Sequence, residues 1–330
     1  MIGMLGRRQF IGAAIAAVAL AGCSKTPRWE RRAARRVARS RVAVLAAPAY
    51  DDRLVDVIRG GLRLFRLAVI EKTVVLKPNF VEFDPMGVIN THPVLVAAAI
   101  EAFRREGARR VIVAEGPGHH RDTEYLLTAS GLYPMLRETR APYVDLNNDD
   151  VQPLALGSHY TSLERLYFPE TVLKADLLVS MPKLKTHHWA GVTLSMKNLF
   201  GCIPGSIYGF PKNVLHWAGI PQSIVDINST LPVRRFAIVD GVVGMEGNGP
   251  IQGDPKRCGA LILGEDPVAV DATCARLMTI DPRQVEHIAE AGRFLGNLAE
   301  ERIDQIGEPL DRLRQDFRVL PSFGRLKRFA

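Results

Sequence analysis

Residues 180–205, SMPKLKTHHWAGVTLSMKNLFGCIPG, gather three lysines and two adjacent histidines between short apolar runs. The run DLLVSM at 176–181 has the length of a strand, and Pro182, which lacks a backbone N–H, ends its ladder. Lys183, Lys185, Thr186, His187 and His188 are therefore expected in a loop just past the carboxyl end of a strand, where open α/β sheets hold their ligands. From Val192 the spacing turns helical. Leu194, Met196 and Leu199 form the apolar side, Lys197 and Asn198 sit near the end, and Gly201, Pro204 and Gly205 stop the helix.

Around this stretch, β-rich runs alternate with helical windows. Strands are predicted at 42–46, 73–76, 111–114, 143–146, 177–180, 236–239 and 260–263, and helices at 54–65, 93–105 and 267–278. Such alternation predicts an α/β fold, a mostly parallel sheet with helices on both faces. No repeat or glycine-serine linker divides the chain, so residues 42–320 read as a single large domain. Residues 147–170 read as a small hairpin insertion, and 321–330 as a tail that frays at its end.

Other strand ends carry polar residues too. Lys77 and Asn79 follow the run TVVL, and two such ends on neighbouring strands would aim several ammonium groups at one point, which suits a phosphate or carboxylate. Residues 113–122, VAEGPGHHRD, bring Glu115, His119, His120 and Asp122, all metal-ligand types. Their spacing matches no known metal motif. The histidines serve equally as ligands, as a general base, or as loop hydrogen-bond partners. Residues 240–253, DGVVGMEGNGPIQG, form a glycine-rich loop that lets the backbone approach a ligand closely, with Asp240 and Glu246 as its carboxylates. Neither a P-loop nor a dinucleotide fingerprint fits it. Asp271 is an acid on an apolar helix face, placed either to reach the site or to cap a neighbouring element.

The motif PKLKTHHWAGVTLSMKNLFGCIPG, together with LKPNFV at 76–81 and DGVVGMEGNGP at 240–250, resembles the DUF362 family, and the resemblance runs from about Val42 to Leu320. The family is a domain of unknown function, so the resemblance identifies the domain rather than a reaction. Its members are sometimes joined to a ferredoxin-like cluster module. Here Cys202, Cys258 and Cys274 show no C-x-x-C spacing, and with Cys23 lipidated only three thiols remain, fewer than a four-thiolate cluster requires. An iron–sulfur cluster is not expected in this chain.

The formal charge of +8 comes from the first 41 residues, which hold ten Lys or Arg against Glu30, and the remainder carries −1. A basic domain face is missing, so nucleic acid is not an expected partner. Lysine is scarce: ten lysines stand beside 33 arginines, and Lys174, Lys183, Lys185, Lys197 and Lys212 fall within one 39-residue window. In such a chain a lysine marks a place that requires a compact, titratable ammonium.

Residues 1–22 read as a twin-arginine signal peptide, with Arg7 and Arg8 before an apolar run too short to span a bilayer. Leu20-Ala21-Gly22-Cys23 has the form of a lipobox, which predicts lipidation of Cys23 and a protein tethered on the periplasmic side of the inner membrane. Residues 23–41 read as a basic tether, either a helix on anionic headgroups or a solvated linker.

These readings combine into one expectation: an enzyme acting on a small anionic substrate. Its catalytic residues would be His187, Lys185 and Lys183. Lys77, Asn79, Lys197, Asn198, Asp240 and Glu246 would bind substrate, and a divalent metal on Glu115 and His119 is a variant. The rival expectation is a non-catalytic anion- or metal-binding lipoprotein, or an accessory factor of a membrane redox complex.

Overall fold

The computed structural model describes residues 28–118 and 122–328. The signal peptide, Cys23, His119 and His120 lie outside the described residues.

Twelve strands are formed by the described residues: β1 (Ser40–Ala46), β2 (Thr73–Pro78), β3 (Arg110–Glu115), β4 (Tyr143–Asp145), β5 (Val151–Ala155), β6 (Arg165–Pro169), β7 (Leu177–Met181), β8 (Lys183–His187), β9 (Gly191–Thr193), β10 (Arg235–Asn248), β11 (Gln252–Gly264) and β12 (Ile303–Gly307). In β2, Val74 and Leu76 enter one apolar core and Val75 the other, so the strand is buried on both faces, as the interior of a parallel sheet requires. The main sheet runs β12-β1-β11-β10-β7-β2-β3-β4, with β8 beside β10 and β9 beside β8. Pairs β1/β12, β10/β7, β7/β2, β2/β3, β3/β4 and β10/β8 are parallel, whereas β1/β11, β10/β11 and β8/β9 are antiparallel. The protein is thus an α/β domain with a mixed, mostly parallel sheet.

Helices cover both faces. On one face lie α1 (Arg53–Leu64) and α2 (Pro93–Arg105), which bury Leu54, Ile58, Leu95 and Phe103. The other holds α3 (Ser195–Asn198), α4 (Ile220–Thr230) and α5 (Pro267–Leu277), with Met196, Ile224, Ile227 and Val270 inside. Pro93 and Pro267 open their helices at positions where no N–H is needed. The carboxylate of Asp266 accepts from Val268 and Ala269 N–H at the start of α5.

Five segments differ from their sequence reading. Lys183–His187 is a strand rather than a loop. Pro182 ends the pairing with β2, but the chain continues along the long β10, with Asp240 opposite Lys183 and Met245 opposite Lys185. For the same reason residues 240–248 are not a loop. The register shift between Asp240 and Met245 marks a bulge, and Gly244 sits where a Cβ would lie 2.6 Å from the Leu184 carbonyl oxygen. The helix read from Val192 begins later: residues 191–193 pair with β8 as β9, and α3 is one turn long.

At the N-terminal side, Arg28–Arg39 is neither an amphipathic helix nor a solvated linker. Trp29 stacks on Phe294 at 4.6 Å, Arg35 donates to the Leu231 carbonyl, and Arg39 pairs with Asp304 at 2.6 Å. At the other end, 321–327 forms a 3-10 helix with Leu326 buried, so the described part of the tail is docked rather than frayed. The insertion within 147–170 is the antiparallel hairpin β5/β6.

Candidate functional site

Strands β2, β3 and β8 bring their side chains to the carboxyl edge of the sheet, where a pocket of about 200 Å³ opens. Lys77 enters from β2, Glu115 from β3, and Lys185 and His187 from β8, two apart and hence on one side of the strand. Lys197 and Asn198 come from α3, and Lys212 and His216 from the segment after it. Phe200, Trp189, Pro211 and Ile251 supply apolar wall, and Trp189 is 58% exposed. Position at the strand ends of an open α/β sheet is where such folds place ligands.

Lys77 and Glu115 form a buried pair at 2.5 Å. The Lys77 ammonium also reaches Asn198 Oδ1 at 3.1 Å, and Asn198 Nδ2 donates to the Lys77 carbonyl and to Ser180 Oγ, so the amide locks the lysine in place. Burial raises the Glu115 carboxyl above its ordinary range, opposed by the charge and hydrogen bond of Lys77. Space for the pair depends on Gly201. A Cβ there would overlap Glu115 Oε1 and lie 2.6 Å from Lys77 Nζ.

The other three lysines have no carboxylate partner among the described residues. Lys185 donates to the Ile89 and Pro250 carbonyls at 2.8 and 3.1 Å, and burial drives its pKa well below the usual lysine value. Lys212 donates to Asn147 Oδ1 at 3.1 Å and to the Ile203 carbonyl, and burial lowers it to about 8. Half-buried Lys197 lies 4.8 Å from the centre of the Phe200 ring and donates to no other partner among the described residues. Burial, reinforced by the charge of Lys77, lowers it to about 8. Buried cations without counter-ions are costly, and the protein tolerates them by loosening their protons.

His187 Nδ1 accepts from the backbone N–H groups of Trp189 and Ala190 at 3.0 and 3.2 Å. The neutral ring therefore carries its proton on Nε2. Burial first, then the charge of Lys197, holds its pKa well below the usual histidine value. A ring held this way offers a hydrogen-bond donor through Nε2. Two buried oxygens on the pocket wall, Asn79 Oδ1 and Thr193 Oγ1, have no hydrogen-bond partner among the described residues.

Three expected site residues point elsewhere. Lys183 pairs with Asp240 at 2.7 Å, and Tyr50 bonds both, at 3.0 Å to the ammonium and 2.8 Å to the carboxylate. His92 N–H adds a bond to Asp240, and its ring stacks on Tyr50. This closed knot joins β8, β10 and the starts of α1 and α2 but does not line the pocket. Glu246 faces Arg318 at 2.9 Å and Lys256 at 3.4 Å on the far part of β10.

Glu115 is paired with the Lys77 ammonium; its expected metal partner His119 lies outside the described residues, which contain no group of three or more His, Cys, Asp or Glu able to hold a metal ion. Lys212, Thr193 and His216 were not expected at the site. Of these, only Lys212 carried a signal, the scarcity of lysine in the chain.

Residues 74–276 match the family described as Domain of unknown function (DUF362). A thylakoid-associated protein of Synechocystis sp. is 26% identical over 231 residues, covering 67% of each chain. Among solved structures, the lactate racemase apoprotein from Thermoanaerobacterium thermosaccharolyticum aligns with a TM-score of 0.46 at 15% identity, over 74% of this chain and 58% of that one. A protein from Thermotoga maritima aligns with a TM-score of 0.36 at 12% identity, over 67% and 58%. This chain spans less than two thirds of either structure's length, and likeness at this level carries no statement about activity. The family match takes in Lys77, Glu115, Lys185, His187, Lys197 and Lys212, and it extends over more than half of the sequence, so the chain belongs to the DUF362 family.

Proposed function

We propose that the protein is an enzyme acting on a small anionic substrate held in the lysine-lined pocket. One observation carries the reading: of four pocket lysines, only Lys77 has a carboxylate partner among the described residues. Four ammonium groups around one carboxylate leave a cationic hollow, and an anion entering it receives charge-assisted hydrogen bonds while relieving mutual repulsion. Lys185 and Lys212 hold the anion in this reading. His187 offers a neutral N–H to an oxygen of the substrate, and the Glu115–Lys77 pair holds a proton that it can lend and recover.

A thermal-shift series with inorganic phosphate, pyrophosphate and malonate tests the idea. A ligand at a hundred times its Kd adds about 2.7 kcal/mol, enough to raise Tm by several degrees. No shift with any of these anions, or a shift that survives both Lys185→Met and Lys212→Met, would overturn the reading.

The exposed rings of Trp189 and Trp217, 58% and 80% exposed, favour a second reading, in which the loaded pocket is presented to a protein partner without turnover. Turnover of a bound anion by the isolated protein would exclude it.

A further inference from the structure

We propose that Lys197 holds the substrate covalently, its amine condensing with the carbonyl carbon of a small oxo acid to give an imine. This rests on the anion-pocket reading above and names the substrate class within it.

Lys77, Lys185 and Lys212 all direct their nitrogens at oxygen acceptors. Lys197 alone among the pocket lysines has no hydrogen bond or ion pair among the described residues, and its neighbour is the face of Phe200. Its nitrogen is therefore the one whose lone pair can turn to a ligand without breaking a protein contact. Cys202, Cys258 and Cys274 are buried and do not line the pocket, so no thiol competes as nucleophile. The other parts that imine formation needs are also at hand. Lys185 and Lys212 suit the carboxylate of an oxo acid. His187 Nε2–H suits its carbonyl oxygen, because a neutral donor polarises the carbonyl without protonating the attacking amine. Asn79 Oδ1 and Thr193 Oγ1, unpartnered and buried, can receive the hydroxyl and the water that the reaction produces.

The step balances without a redox partner. The free amine of Lys197 attacks the carbonyl carbon, the C–N bond forms and the carbonyl π bond moves to oxygen. One amine proton passes to that oxygen to give the carbinolamine. The second amine proton leaves with the hydroxyl as water, and the C=N bond closes. A lysine near pKa 8 has on the order of a hundred times more free amine at neutral pH than an ordinary lysine, which favours this residue as the amine that reacts.

The test is reductive trapping with pyruvate and sodium cyanoborohydride on the full-length protein, followed by peptide mass spectrometry. The cyanoborohydride delivers hydride to the imine and leaves a carboxyethyl group on the lysine. The expected result is an adduct on Lys197 that forms on the order of a hundredfold faster than on Lys72 and slows in the presence of inorganic phosphate. Its rate should rise as pH climbs towards about 8, where the amine deprotonates. The Lys197→Arg variant, which keeps the charge but cannot form the imine, should give no adduct at that position. Label confined to surface lysines would overturn the imine. If phosphate still raises Tm in that case, the anion pocket stands and only the covalent step falls, whereas loss of both removes the two together.

Discussion

Lys212 shows what an unpaired ammonium does to a folded chain. Its two acceptors, Asn147 Oδ1 and the Ile203 carbonyl, are neutral, so desolvation outweighs the opposing charge of Glu115 and the pKa falls from 10.5 to about 8. Because the unfolded chain binds that proton more tightly, ligand-free stability should rise as pH climbs from about 8 to 10.5, where the penalty disappears. Lys212→Met should accordingly stabilise the ligand-free protein at pH 7 by about 1–3 kcal/mol while abolishing anion binding, and its advantage should vanish near pH 10.5. Urea melts at both pH values check this, and a destabilised variant at pH 7 would show that Lys212 is merely structural. Anion affinity of the wild type should fall by up to tenfold per pH unit above pH 8 as Lys212 loses its proton, since the bound state needs the protonated form. Gly201 is the second residue with a sharp expectation. Gly201→Ala should separate Lys77 from Glu115, lower stability by about 1–3 kcal/mol and erase the anion-induced Tm shift. An unchanged Tm for this variant would mean that the two side chains do not sit against residue 201.

At the scale of elements, α3 is too short to hold itself, since one turn makes almost no internal hydrogen bonds. It is fixed from outside by Asp271 on α5, whose carboxylate accepts from Ser195 N and Oγ at 2.7 and 2.5 Å and from Met196 N at 3.0 Å. That settles the role left open by the sequence: Asp271 caps the turn that presents Lys197 and Asn198. Asp271→Ala should cost about 2–4 kcal/mol and remove anion binding with it, measurable by calorimetry and thermal shift. Retained binding at reduced stability would instead separate the cap from the site.

Elements built from local pattern were legible in advance. The apolar runs of β2, β3, β7 and β10 and the proline-started helices α2 and α5 fall where periodicity and capping put them. What escaped depends on distant pairing. Nothing near Pro182 announces that the chain continues as β8, because its partner β10 lies more than fifty residues away and accommodates it through a bulge. The same gap explains the site. Lys77, Lys185 and His187 were recognisable as side chains at strand ends and Lys197 as one near a helix end, yet Lys183 and Asp240, also read at strand ends, satisfy one another. Glu246 is taken by Arg318, a partner that no spacing rule connects to it.

At the scale of the whole molecule, the docking of Arg28–Arg39 changes the meaning of the basic N-terminal run. We propose that Cys23 is lipidated. Four residues then separate it from the docked Arg28, and the five steps between them, at 3.3–3.6 Å each, span at most about 20 Å. The domain would ride close to the bilayer. Cys23→Ala should move the protein from the membrane to the soluble fraction, and firm membrane association of that variant would argue against the lipid.

The sheet also joins the two ends of the polypeptide. Strand β1, the first of the described strands, has only β11 and β12 as neighbours among the described residues, and both are made more than two hundred residues later. On the ribosome it must wait without partners while the intervening elements emerge, and it finds its place only once Ile303–Gly307 is available. Contacts of such sequence separation slow folding, because loop closure precedes the gain from pairing. The native topology is therefore complete only after Ile303–Gly307 has been made, and a chain lacking β12 would leave its earliest described strand as an open edge for aggregation.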